Sequence, residues 1–171
     1  MRLALYQPDI PQNAGTILRL AACMGVGVDV IGPAGFDMGN RNLRRAGLDY
    51  LDAVEIQRHI SFDSFLADRR TEGATQQAPG RLILLTTHAE TAYSDFRFAP
   101  RDTLLLGRES AGAPETVHQA ADARIRIPMR PGLRSLNIAV AAAMVLAEAL
   151  RQTGGLDALA RLSGAPPQDA P

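Results

Sequence analysis

The sequence predicts an α/β protein, a mostly parallel sheet flanked by helices. Three observations carry this. Short β-prone runs alternate with amphipathic segments, the pattern of repeated strand–helix units. Two runs, Leu82-Ile83-Leu84-Leu85 and Leu104-Leu105-Leu106, are continuously apolar, as central strands covered on both faces must be. The chain of 171 residues is long enough to bury a substantial core within one domain.

Each element has its own local reason. Arg2 to Tyr6 reads as the first strand. Ala14 to Met24 carries Ile17, Leu20, Ala21 and Met24 at helical spacing. Asn13 is placed to cap that helix and Gly25 to end it. Val26 to Ile31 reads as a strand, Asn42 to Ala46 as helical, Ala53 to Ile56 as a strand and Phe62 to Arg70 as a helix. Thr71 to Gly80 is polar and reads as a loop. Leu82 to Thr87 and Thr103 to Leu106 are strands. Pro114 suits the first turn of a helix over Glu115 to Ala120. Arg124 to Ile127 is the last strand; Pro128 ends it, Pro131-Gly132 turns the chain, and Ser135 can cap the next helix. That helix holds Ala139, Ala141, Ala142, Ala143 and Ala147. Alanine has high helix propensity, and small side chains let another backbone approach closely. Ser163 to Pro171, with three prolines, reads as a frayed tail after a single domain spanning 1–162.

Composition narrows the class. The longest N-terminal apolar run, Leu3 to Tyr6, is too short for a signal peptide or a membrane span. The single cysteine, Cys23, excludes an internal disulfide and fits a reducing compartment. A cytoplasmic protein without a membrane partner is expected. A formal net charge of zero argues against wholesale nucleic-acid binding, but the arginines are clustered. Arg41, Arg44 and Arg45 form one group. Arg124, Arg126, Arg130 and Arg134 form another, with no acid between Arg124 and Arg134. All 18 basic residues are arginine. That reads either as genome composition or as a surface that forks onto phosphates and stacks on bases.

In parallel sheets, ligands sit outside the carboxyl ends of the strands. Three loops there contain candidate chemistry. After Tyr6 comes "QPDIPQNAGTILRLAACMG", in which Arg19 points almost opposite the apolar face of its helix. That position suits either an ordinary solvated arginine or a site residue. After Leu106 comes "GRESAGAPE", where Gly107 and Gly112 bracket a turn around Glu109. Glycine lets backbone amides approach a ligand closely; an ordinary strand-to-helix turn has the same look. After Ile127 comes "PMRPGLRSLN", a basic loop that leads into a helix N-terminus, where negative charge is favoured. There is no zinc-ligand spacing, no Walker loop, no Gly-x-Ser-x-Gly elbow and no dinucleotide fingerprint after the first strand. His59, His88 and His118 lie far apart in sequence and read as ordinary residues.

Taken together and in order, the three loops resemble those of the SPOUT superfamily of RNA methyltransferases, in its SpoU-like branch of ribose 2′-O-methyltransferases. "IPQNAGTILRLAACMG" looks like the first motif, "LLLGRESAGAP" the second and "IRIPMRPGLRSLNIAVAAAM" the third. The likeness covers nearly everything from Met1 to about Arg151. Arg108 departs from it, because relatives often carry proline or asparagine there.

The resemblance implies a Rossmann-like fold with a deep trefoil knot near the C-terminus. It also implies S-adenosyl-L-methionine as methyl donor, no metal, a tRNA partner and a homodimer. Backbone at Leu85, Gly107, Ile127 and Ser135 is expected to hold the donor. Arg19, Asn13, Glu109, Ser135 and Asn137 are expected to form the reacting centre. Arg41, Arg44, Arg45, Arg130 and Arg134 are expected to meet RNA, mainly through phosphates. The small size and "LRRAGLDY" (Leu43 to Tyr50) point within the branch to methylation of the wobble nucleotide, cytidine or uridine 34. The rival readings are 2′-O-methylation of another tRNA or rRNA nucleotide, a non-catalytic RNA-binding protein on the same scaffold, and a small nucleotide-binding oxidoreductase.

Overall fold

The computed structural model describes residues 1–37, 50–75, 80–162 and 164. In chain order it contains β1 (Arg2–Tyr6), α1 (Pro11–Met24), β2 (Gly27–Ile31), β3 (Ile56–His59), α2 (Phe62–Thr75), β4 (Leu82–Leu85) and β5 (Thr91–Ala92). There follow β6 (Thr103–Leu106), α3 (Glu115–Ala120), β7 (Ala123–Arg126), α4 (Ile138–Gln152) and α5 (Gly155–Leu162). The strands form one parallel sheet in the order β3-β2-β1-β6-β4-β7-β5.

Strand alternation divides the core in two. Leu3 pairs with Val28 and Leu104, and Leu104 pairs with Ile83. This row faces α1 and α4, packing on Ile17, Leu18, Ala142, Val145 and Leu146. Ala4, Leu84 and Leu105 face the other way, onto Phe65 of α2 and Val117 of α3. The central strands are therefore covered on both sides, which is why their sequences are apolar without alternation. Each fully buried leucine contributes about 1.5–3 kcal/mol relative to an exposed one.

Several expectations are corrected. The third strand is Ile56–His59, and Leu51–Ala53 forms a single 3-10 turn. Among the described residues this outer strand pairs only with β2, so it has no long apolar run to betray it. Its end is pinned by charge instead. Buried Asp29 on β2 accepts from Arg2 at 2.8 and 3.2 Å and lies 3.1 Å from His59 Nε2, while His59 Nδ1 lies 2.8 Å from Asp68. The helix begun at Phe62 continues to Thr75, into the stretch read as loop. Helix α1 starts at Pro11, with Ile10 rather than Asn13 at its N-cap; Gly25 ends it in the left-handed conformation (φ 63°), as expected. Strand β5 and helix α5 were not anticipated. The helix expected over Asn42 to Ala46, with Arg41, Arg44 and Arg45, lies outside the described residues, as does nearly all of the expected tail.

Candidate active site

Strands β6, β4 and β7 are neighbours, and their carboxyl ends carry Leu106, Leu85 and, one residue beyond β7, Ile127. A cleft of about 550 Å³ opens there. Leu85, Leu106, Ile127 and Ala141 make it apolar, the loop after each strand walls it, and Asn13, Glu109, Ser135 and Asn137 supply polar groups. All four positions assigned to the methyl donor line this one cleft.

A chain of hydrogen bonds joins the three loops. Asn137 accepts from the amides of Ala139 (2.9 Å) and Val140 (3.3 Å), so it, and not Ser135, caps α4. Its Nδ2 donates to Asn13 Oδ1 at 2.9 Å. Asn13 Nδ2 in turn donates to Glu109 Oε1 at 3.2 Å. The other oxygen of Glu109 accepts from the Asp9 amide at 3.1 Å, and the Glu109 amide donates to Asp9 Oδ1 at 3.2 Å. Ser110 Oγ also donates to Asp9. Asn13 thus serves as a bridge between the loops rather than as the expected cap. One amide side chain can donate and accept at once, which is why asparagine suits that position.

The turn that carries Glu109 is closed by reciprocal bonds between Arg108 and Gly112, at 3.0 and 2.9 Å. A Cβ on Gly107 would stand 2.8 Å from the carbonyl carbon of Gly112 and 2.9 Å from the amide nitrogen of Ala113. Only glycine lets these two backbone segments meet.

The paired carboxyls titrate apart. Burial, then the hydrogen bond with Asp9, pushes Glu109 above the usual carboxylate range. The same bond, seen from its partner, holds Asp9 down at about 2. Because the Glu109 pKa is raised on folding, its stabilising contribution is present below the ordinary value of 4.5 and is lost as pH rises through the raised one. Glu109→Gln, which cannot ionise, is therefore expected to melt at or above the wild-type temperature at pH 7. The difference should shrink as pH falls through the raised Glu109 pKa and be gone below about 4.5. Thermal melts from pH 3.5 to 8 check this; a gap that widens on acidification contradicts it.

Arg19 stands apart. It is exposed on α1, lies outside the cleft wall, and its guanidinium rests 4.9 Å from the centre of the Tyr50 ring. Arg134 lines the cleft, and Arg130 is exposed on the same loop. Sequence reading missed Asp9, although its place in the loop after β1 was a usable signal. It also missed His88 and His118, which both line the cleft with ring centres 6.4 Å apart. They are 30 residues apart in sequence, and only the adjacency of the β4 and β6 ends brings them together. Among the described residues no group of three or more His, Cys, Asp or Glu is placed to hold a metal.

This is a parallel α/β protein with a ligand cleft at its strand ends, roofed by three cross-bonded loops, the layout of SPOUT methyltransferases. Within that class the chain belongs to the SpoU rRNA Methylase family, whose pattern matches residues 1–147. It is 59% identical over 164 residues to a tRNA (cytidine(34)-2′-O)-methyltransferase of Beijerinckia indica, covering 96% of this chain and 97% of the relative. It is 38% identical over 156 residues to the Escherichia coli enzyme of the same name, covering 90% and 94% of the two chains. A structure described as giving insight into 2-OH methylation of C/U34 on tRNA is similar with TM-score 0.79 and 40% identity, covering 88% and 94%. The SpoU methyltransferase AviRb of Streptomyces viridochromogenes, solved with AdoMet, is similar with TM-score 0.81 and 29% identity. There the match covers 96% of this chain and 61% of AviRb.

Proposed function

We propose that this chain transfers the methyl group of S-adenosylmethionine to the ribose 2′-hydroxyl of the wobble nucleotide of tRNA, cytidine or uridine 34. The observation that carries this is the cleft itself. The first-, second- and third-motif residues Asn13, Glu109 and Asn137 are hydrogen-bonded to one another at its wall. The full-length likeness to wobble-nucleotide methyltransferases selects the substrate.

The cleft suits the donor. Leu85, Leu106, Ile127 and Ala141 offer apolar surface to an adenosine, and the loops bring backbone amides and carbonyls to its rim. When bound, the donor supplies an electrophilic methyl on a sulfonium. The reaction forms an oxygen–carbon bond, breaks the carbon–sulfur bond and releases the hydroxyl proton, leaving a neutral thioether. The protein's part is orientation: an in-line approach held by fixed groups supplies much of the acceleration. Asn13, Glu109, Ser135 and Asn137 hold the shape of that centre. Two roles are open to Arg19, the proton acceptor that the family resemblance implies or a cation that orients phosphate and stabilises the developing alkoxide; arginine being a poor base, we assign it the second.

Because Arg19 is outside its own cleft, the reading includes a homodimer in which α1 of one protomer completes the cleft of the other. The apolar surface supports this: Ile10, Leu136, Val140 and Met144 are exposed, and Ile10 and Leu136 adjoin the cleft. A two-fold dimer burying at least roughly 1,000 Å² in total is expected. Sedimentation at micromolar concentration should give twice the 18.3 kDa chain mass; a monomer refutes it. The family's trefoil knot also belongs to this reading, supported by the way α4 returns from β7 to pack small residues, Ala139 and Ala142, into the core with Ala14 and Ala21 of α1. A cytoplasmic site of action and a basic RNA-facing surface that includes Arg130 and Arg134 go with a tRNA substrate. So would Arg41, Arg44 and Arg45.

The decisive experiment is mass mapping of 2′-O-methyl nucleosides in tRNA from cells lacking the protein, with methylation of the same tRNA by the purified chain. Loss and restoration at nucleotide 34 are expected. Equal activity on tRNA already 2′-O-methylated at that ribose overturns the target assignment.

A further inference from the structure

Arg108 lines the cleft. Its backbone cannot wander, because both its amide and its carbonyl are bonded to Gly112. Its side chain leans toward β1: Nη1 donates to Gln7 Oε1 at 3.3 Å, and Nε stands 3.9 Å from Asp9 Oδ2. Gln7 is itself held, its amide bonded to Ile31 and its Nε2 to the Gly32 carbonyl at 3.4 Å. Its φ of 45° places a non-glycine residue in the left-handed region. Strained backbone of this kind persists where the surroundings over-determine it, often beside a working site. The guanidinium is therefore held at the β1 side of the cleft, from a fixed root and with a fixed lean. Yet its Nε is buried without a hydrogen-bond partner. Asp9 at 3.9 Å is near enough to pair with the charge but too far to accept a hydrogen bond, and two-fifths of the side chain stays exposed, so the guanidinium keeps donor capacity for a further acceptor.

We infer that Arg108 grips a phosphate of the substrate RNA, the phosphodiester next to the reacting ribose. The inference rests on the methyl-transfer reading above. The 2′-hydroxyl and the 3′-phosphate sit on adjacent ribose carbons, so a cleft that takes the one must accommodate the other. Among the described residues Arg134 also lines the cleft, so the wall carries a second cation. A guanidinium fork matches two phosphate oxygens. Topology favours RNA over the methionine carboxylate of the donor. Strand β6 lies between β1 and β4. Arg108 leans toward β1 and the first-motif loop, whereas the apolar surface suited to adenosine lies toward Leu85 of β4 and Ile127 after β7. Arg108 is thus a positioning residue of this chain.

The test compares wild type, Arg108→Ala and Arg108→Lys in three measurements across a salt series: methylation kinetics, tRNA binding without turnover, and calorimetric binding of S-adenosylmethionine. For Arg108→Ala the tRNA KM should rise about tenfold, and more than kcat falls, with the slope of log affinity against log salt reduced by about 0.7, one phosphate contact. Donor affinity should stay within about twofold, because the contact is to RNA. Arg108→Lys should recover the salt slope but only part of the KM, because it restores charge without the fork. A tenfold loss of donor affinity with unchanged tRNA binding would reassign Arg108 to the donor and overturn the inference. So would wild-type tRNA binding and salt slope in Arg108→Ala. Should wild type methylate some nucleotide other than 34, the binding measurements still decide the role of Arg108 independently of the target.

Discussion

Arg19→Ala is expected to reduce methyl transfer to tRNA by at least roughly 10²–10³-fold, the scale on which removal of one preorganised charge-stabilising group acts. Binding of S-adenosylmethionine should be unchanged, because Arg19 is outside the cleft that would hold it. Little stability should be lost, since the side chain is exposed and its one described contact is the face of Tyr50 at 4.9 Å. Arg19→Lys keeps the charge but not the planar fork and should remain severely impaired. The dimer adds a sharper test. Mixing Arg19→Ala with a variant whose cleft is disabled, such as Gly107→Ala, should restore activity that neither has alone, because one hybrid cleft then has an intact wall and an intact arginine. Turnover of Arg19→Ala near the wild-type rate would end the role assigned to it. Activity lost in both parents and absent from every mixture would end the shared site while leaving the role of Arg19 standing.

Gly107→Ala should abolish tight donor binding. The added methyl would meet backbone at 2.8 and 2.9 Å. Backbone atoms of a turn closed by two hydrogen bonds cannot swing aside as a flexible side chain can. The loop must therefore shift, carrying Glu109 away from Asn13 and moving the amides at the cleft rim. A tenfold loss of affinity corresponds to about 1.4 kcal/mol, and a displaced loop should exceed it. Calorimetry measures the affinity, and a melt in saturating S-adenosylmethionine should show the wild-type stabilisation and its near absence in the variant. Wild-type affinity in Gly107→Ala would mean that the turn is not part of the donor site.

Much of the architecture could be read from local pattern. The β6 run Thr103–Leu106 and the helix Glu115–Ala120 match their expected bounds, because central strands and short amphipathic helices carry their reason in their own residues. The outer elements were legible only in part. Strand β3 was misplaced by three residues because its position is set by pairing with β2 and by His59 reaching Asp29, not by an apolar run. Strand β5, two residues long, exists through its pairing with β7. The caps were misassigned for a related reason. Ser135 and Asn13 are chemically able to cap, but Asn137 holds the α4 amides, and Asn13 is turned toward Glu109.

The candidate site divides along the same line. Residue types and spacing drew attention to Asn13, Arg19, Gly107, Glu109 and Ser135, the family resemblance added Asn137 and gave them roles, and strand order explains why loops distant in sequence belong to one cleft. Asn13 and Asn137 are 124 positions apart and share a hydrogen bond. No local rule links them; the link comes from β1, β6, β4 and β7 lying side by side. The sequence by itself determined the layer architecture, since burial on two faces writes itself into apolar runs, and it determined which loops could hold chemistry. Only the tertiary structure decided what each polar group does there. A hydrogen bond or a shifted carboxyl depends on distances of a few ångströms between residues far apart in the chain. Those distances put Asp9 against Glu109, hold Arg108 at the cleft's β1 side with Nε short of a hydrogen bond, and leave Arg19 outside the cleft.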